Sequence, residues 1–125
     1  MEELKEFDDD GNLIHYRDSN GYEVWREYND SGQEIHSRDS SGYEAWREYD
    51  ARGDWIHFRD SNGYESWQEY DARGALIHYH NSDGEEEKYD VHGNEIYFRD
   101  SDGYEVWREF DENNNLVSTK TNEDA

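Results

Sequence analysis

One stretch of about fifteen residues is written out five times along this chain. Ile14-His15-Tyr16-Arg17-Asp18-Ser19-Asn20-Gly21-Tyr22-Glu23-Val24-Trp25-Arg26-Glu27-Tyr28 returns, with small changes, at 35–49, 56–70, 77–89 and 96–110. Two series of glycines mark the period: Gly11, Gly32, Gly53, Gly74 and Gly93, and Gly21, Gly42, Gly63, Gly84 and Gly103. Each repeat therefore holds two glycine turns and two short segments rich in aromatic and β-branched residues, which is the pattern of consecutive β-hairpins. The fold class this dictates is all-β: a single-layer, twisted antiparallel β-hairpin repeat array of about twelve short strands, with one domain over 1–120 and a flexible tail over 121–125.

Turn chemistry supports the same reading. In Asp18-Ser19-Asn20-Gly21 the aspartate starts a type I turn and the glycine supplies the left-handed position that closes it. A three-residue loop there puts Arg17 opposite Glu23, Tyr16 opposite Val24 and His15 opposite Trp25. A four-residue loop after Tyr49 would put Tyr49 opposite Asp54, Trp46 opposite His57 and Glu44 opposite Arg59. Ile14, Tyr16, Tyr22, Val24, Arg26 and Tyr28 then share the face expected to be buried. The other face is expected to carry three ladders: Arg17, Glu23, Arg38, Glu44, Arg59, Glu65; His15, Trp25, His36, Trp46, His57, Trp67, His78; and Leu13, Glu27, Glu34, Glu48, Trp55, Glu69, Leu76. Leu4 and Phe7 stand where Trp25 and Tyr28 stand, so 3–8 reads as a first, degenerate strand, and 116–120 reads as a polar last one, as capped arrays require. The stretch 85–92 lacks two residues and its Trp. A two-residue deletion keeps the in/out alternation that a one-residue deletion would invert.

The Tyr-Asp-x-x-Gly element (Tyr49 to Gly53, Tyr70 to Gly74, Tyr89 to Gly93), the period of about 20 residues and the Gly-Tyr-Glu-x-Trp continuation resemble tyrosine–aspartate, or Rhs-type YD, repeats over about residues 7–111; MORN repeats are more distantly similar. The resemblance implies a hairpin array. The shell role of large Rhs proteins does not carry over to a chain of this length.

Composition sets the functional reading. The chain is 31% hydrophobic and 37% charged, with a formal net charge of −22. Such values describe a disordered chain, but five Trp, eleven Tyr and four Phe recur at fixed places, and ordered repetition of aromatics argues for a folded sheet with a charged exterior. There is no Cys, so disulfides are excluded, and the N-terminal residues do not read as a signal peptide; the expected location is the cytoplasm of a bacterial host cell. An acidic protein is repelled by nucleic acid and by anionic membranes, so its natural partner is a basic surface.

His15, His36, His57 and His78 fall on alternate strands, about 10 Å apart, too far for one metal to bridge; His78 and His80 share a face. Asp8-Asp9-Asp10-Gly11 and Asp100-Ser101-Asp102-Gly103 lack the alternating ligands and distal Glu of a calcium loop. No nucleophile–base set or phosphate-cradling loop occurs, so neither a catalytic residue, a metal site nor a cofactor is expected. Charge remains: twelve strands at about 4.8 Å make a ribbon on the order of 58 Å, or roughly one net charge per 2.6 Å against about one per 1.7 Å in duplex DNA. By analogy with small acidic phage proteins that inhibit restriction or CRISPR nucleases, the expected function is a non-enzymatic DNA mimic that fills the basic cleft of a nuclease or defence complex, with a homodimer compatible. The expected partner-binding residues are Glu23, Glu27, Glu44, Glu48, Glu65, Glu69, Glu85, Glu86 and Glu87, with Trp25, Trp46 and Trp67 beside them. The alternative is a toxin-immunity or self-associating structural repeat module acting through the Ile14, Ile35 and Ile56 face.

Overall fold

The computed structural model describes residues 2–123. It contains twelve strands: β1 Leu4–Phe7, β2 Leu13–Arg17, β3 Glu23–Tyr28, β4 Glu34–Asp39, β5 Glu44–Tyr49, β6 Trp55–Asp60, β7 Glu65–Tyr70, β8 Leu76–Asn81, β9 Glu86–Tyr89, β10 Glu95–Arg99, β11 Glu105–Phe110 and β12 Leu116–Thr121. They follow one another in sequence order in an open antiparallel sheet. The strands group into two compact units, Met1–Gly63 and Tyr64–Ala125. The stretch expected as a tail begins inside β12: Thr121 is its last residue, and Asn122 donates its side-chain amide to the Gly103 carbonyl. Residues 124–125 lie outside the described residues.

All the hairpin turns use one device. The Asp18 amide donates to the Tyr22 carbonyl and the Gly21 amide to the Asp18 carbonyl; at the opposite end of the strands Asp50 bonds Asp54 and Gly53 bonds Asp50 in the same way. The aspartate side chain completes the loop, as Asp50 Oδ1 accepts the amides of Arg52 and Asp54 at 3.0 and 2.9 Å. Gly53 sits at φ 91°, and in the last turn Asn114, the residue type that best tolerates the left-handed region after glycine, takes that place at φ 66°.

Because both kinds of turn are three-residue loops, the register after Tyr49 differs from the four-residue expectation. Tyr49 pairs with Trp55, Glu48 with His57 and Trp46 with Arg59, with a β-bulge between Glu48 and Tyr49. The residue assigned to a longer loop is instead inserted in the strand, as Ile56. The same bulge passes over Ile14, Ile35, Ile77, Ile96 and Val117 in the equivalent hairpins. The β2–β3, β4–β5, β8–β9 and β10–β11 hairpins, closed at the other end, carry no bulge: His15 pairs with Trp25, Tyr16 with Val24 and Arg17 with Glu23, as expected.

The bulge has a consequence for the faces. Glu34, expected on the polar side, reaches Arg26 at 3.1 Å and Arg47 at 2.7 Å, on the side of Tyr28. Trp55 likewise packs edge-on against Phe58, the residue over which Arg47 lies. The third ladder is therefore not formed. The irregular repeat behaves as expected: β9 is short, yet Lys88 still pairs with His78 and Tyr89 still meets Glu95, as Tyr70 meets Leu76.

The core is thin and lies on the expected face. Ala45, Ser66 and Val106 are buried at the same position of three repeats. Above them, tyrosine hydroxyls tie strands not joined at that end: Tyr28 donates to the Leu13 carbonyl and Tyr49 to the Glu34 carbonyl, at 2.8 and 2.9 Å. Ser66 is the odd member, because its hydroxyl is buried without a hydrogen-bond partner. Desolvating an unpaired hydroxyl costs on the order of 1 kcal/mol or more, and alanine already fills the slot at Ala45. Ser66→Ala should therefore stabilise the fold by about 1 kcal/mol, seen as a rise in the urea midpoint with an unchanged m-value.

Candidate partner-binding surface

Strand alternation puts residues 23, 25 and 27 of β3 on one side of the sheet, and the bulged register decides what each meets. Trp25 lies between two strands: the His15 ring stacks on it from β2 (centroids 5.3 Å, planes 10° apart), and the Arg38 guanidinium covers it from β4 at 4.6 Å. Trp46 is held likewise between His36 at 5.4 Å and Arg59 at 4.4 Å. The expected alternation of His and Trp is thus broken into separate rows. The first runs Glu6, His15, Trp25, Arg38, Glu44 across β1–β5. The next begins Glu27, His36, Trp46, Arg59. In the second unit Trp67 stacks on His80 at 4.6 Å, and the row continues through Glu86, Arg99 and Glu105. Composition alone cannot order such a row, since a shift of two residues preserves the face while changing the neighbour.

Carboxylates in these rows fall into two classes. Glu23, Glu44 and Glu86 are drawn in by histidine: His15 Nε2 lies 2.7 Å from Glu23, and His36 and His78 Nε2 lie 2.6 Å from Glu44 and Glu86. Glu86 also reaches Arg99 at 3.3 Å, and its side chain is only 17% exposed. Burial opposes ionisation of Glu86, but the bonds from His78 and the nearby cations outweigh it and lower its pKa. Glu27, Glu48 and Glu69 instead point outward, at 69%, 67% and 65% exposure, each reaching the Nδ1 side of a histidine at 3.2, 3.3 and 3.8 Å.

The remaining expected residues are placed as follows. Glu85 accepts from Asn81 and Glu87 from the Tyr89 hydroxyl, at 3.0 and 2.7 Å. The Glu65 amide donates to Ser82 Oγ, as the amides of Glu23 and Glu44 donate to Ser40 and Ser61. These serines, which lace each hairpin to the next turn, escaped the sequence reading; their recurrence in three successive turns, each just after the Asp or Asn that opens the loop, was the available signal. Trp25, Trp46 and Trp67 are half-buried, and the first two have both ring faces occupied, which makes them braces of the sheet.

No family model matches the sequence, and no curated protein matches it. Solved structures do. The chain is similar to a segment of the crystal structure of TcdB2-TccC3-Cdc42 (TM-score 0.61, 22% identity) and to one of a Photorhabdus luminescens Tc holotoxin pore (TM-score 0.62, 22% identity). Each match covers 94% of this chain and 7% of the other, so this chain spans a small fraction of the proteins it matches. The likeness is one of fold: the chain is a β-hairpin repeat array, and the YD-repeat resemblance holds at that level.

Trp46→Ala would remove the stack on His36 and the cap from Arg59 together. The expected loss is about 2 kcal/mol, below the 3–5 kcal/mol typical of a fully buried Trp. It is measured by urea unfolding, and Arg59→Ala should reproduce only a minor part of it.

Proposed function

We propose that this chain is a non-enzymatic acidic binding module that competes with DNA for the basic nucleic-acid-binding cleft of a nuclease or defence complex. The supporting observation is a net charge of −22 held on an ordered scaffold, with Glu27, Glu48 and Glu69 projecting at the same position of three repeats. On β3 and β5 such carboxylates are two strands across and two residues along, about 12 Å apart. Order matters because a folded polyanion presents its charges without losing chain entropy on binding. In this mechanism the outward carboxylates stand in for phosphates, and association is fast and salt-sensitive. Glu23, Glu44 and Glu86 add to the field from half-buried positions, and the Trp braces keep the spacing fixed.

A second reading is a structural or self-associating repeat module. What supports it is that the same fold recurs as 7% of much longer chains. Association would then run through the Ile14, Ile35 and Ile56 face and be indifferent to salt.

A pull-down from a bacterial lysate at low salt, developed with a salt gradient, separates the two. The mimic requires a nucleic-acid-binding protein that is released by salt and displaced by duplex DNA. The combined Glu27→Gln, Glu48→Gln and Glu69→Gln variant should weaken that complex at least about threefold, from three exposed pairs worth about 0.2–1 kcal/mol each. A partner unmoved by salt, DNA and the triple variant would leave the repeat-module reading standing.

A further inference from the structure

Carboxylates hold both ring nitrogens of His15 and of His36. His15 Nδ1 is 3.0 Å from Glu6 on β1, and its Nε2 is 2.7 Å from Glu23 on β3. His36 Nδ1 is 3.2 Å from Glu27 on β3, and its Nε2 is 2.6 Å from Glu44 on β5. A neutral imidazole carries one N–H and one bare lone pair; only the imidazolium donates from both nitrogens. A neutral ring in either place would set a lone pair against a carboxylate at hydrogen-bond distance. Each charged ring, by contrast, ties three consecutive strands together while lying flat on a Trp.

We infer that His15 and His36 are protonated clamps, each stapling three strands, and that removing their protons loosens the sheet from β1 to β5. Around His15 stand Glu6 from β1, Glu23 from β3, and Arg17 two residues along its own strand and opposite Glu23. Around His36 stand Glu27 from β3, Glu44 from β5, and Arg38 in the same relation on its own strand. Glu27 and Glu48 also lie on that side of β3 and β5, next to Trp25 and Trp46, and Arg38 and Arg59 cover those two rings; carboxylates still outnumber cations and favour the imidazolium at both sites. The hydrogen bonds to Glu23 and then Glu6 raise the His15 pKa; at His36 burial opposes, but the bonds to Glu44 and Glu27 outweigh it and the pKa is also raised.

The sign follows. A raised folded-state pKa contributes stability that is complete below the unfolded value, about 6.5, and is lost as pH rises through the folded value. The turn aspartates act at the other end. Amides of Asn12, Ala75 and Asn115 are the first cause lowering Asp8, Asp71 and Asp111, so their contribution is lost as pH falls through the acid range. Stability should be greatest between about pH 5 and about pH 6.5, a mildly acidic optimum. This inference is independent of any partner.

The test is a proton NMR titration of the full chain from pH 5 to 9, beside the same chain unfolded in urea. His15 and His36 should titrate above their unfolded positions, and Glu44→Gln should lower the His36 midpoint while leaving that of His15 in place. The urea midpoint should fall between pH 6 and pH 8.5, and fall less in the His15→Gln/His36→Gln variant. Titration at or below the unfolded positions overturns the inference, as does an unchanged pH dependence in the double variant. If that variant does not fold, the native titration and Glu44→Gln decide alone.

Discussion

Turn aspartates such as Asp50 accept two backbone amides through one side-chain oxygen, as Asn29 and Asn81 do, while their own amide and carbonyl close the loop around them. That arrangement holds every loop to three residues, whichever end of the strands it closes. A repeat of 21 residues then has one residue more than two such hairpins can pair. The surplus enters the ladder as a bulge at Ile14, Ile35 and Ile56 and at their later counterparts. From the bulge follow the shift of register by two, the turn of Glu34 and Trp55 to the tyrosine side, and the rows that place an arginine over each of the first two braced tryptophans. A local hydrogen bond thus decides which side chains meet several residues away.

A sheet with so little apolar burial relies on side-chain contacts across strands. Stacked His–Trp pairs, guanidinium caps and tyrosine hydroxyls on carbonyls each contribute a fraction of a kcal/mol to about 1 kcal/mol, and the array repeats them. The same economy governs charge. Arg26 and Arg47 converge on Glu34, and Arg108 reaches Glu95 at 2.8 Å; in the second unit the arginine slot becomes Gln68, where the adjoining strand carries Leu76 in place of the carboxylate. Arg26, Arg47, Arg99 and Arg108 are held by carboxylates of the sheet, and with 34 acidic against 12 basic residues the surface stays acidic. The acidity that supports the binding proposal and the internal pairing that holds the fold are two results of one distribution.

Much of this was legible in the residues. The glycine periods located every turn but the last, which Asn114 closes. Asp and Gly at their ends named the loop chemistry, and the alternation of aromatic and charged residues identified the buried face, including the slot of Ala45, Ser66 and Val106. The two-residue deletion at 85–92 was correctly read as leaving alternation intact, because Lys88 and Tyr89 keep the faces of Trp67 and Tyr70. The candidate carboxylates were named as one class, whereas the sheet divides them into Glu27, Glu48 and Glu69, which project, and Glu23, Glu44 and Glu86, which histidines hold. That division depends on which residue faces which, and a repeat count places an extra residue in a loop or in a strand with equal ease.

Sequence alone determined that this is a hairpin array with one aromatic and one charged face, since period, turn residues and side-chain alternation are local properties of the chain. Only the tertiary structure decided the partners within each face. The bulge moves the register by two residues, which leaves every face unchanged beyond it but replaces each neighbour. It turns a supposed ladder of histidine and tryptophan into braces capped by arginine, and a ladder imidazole into one gripped by two carboxylates.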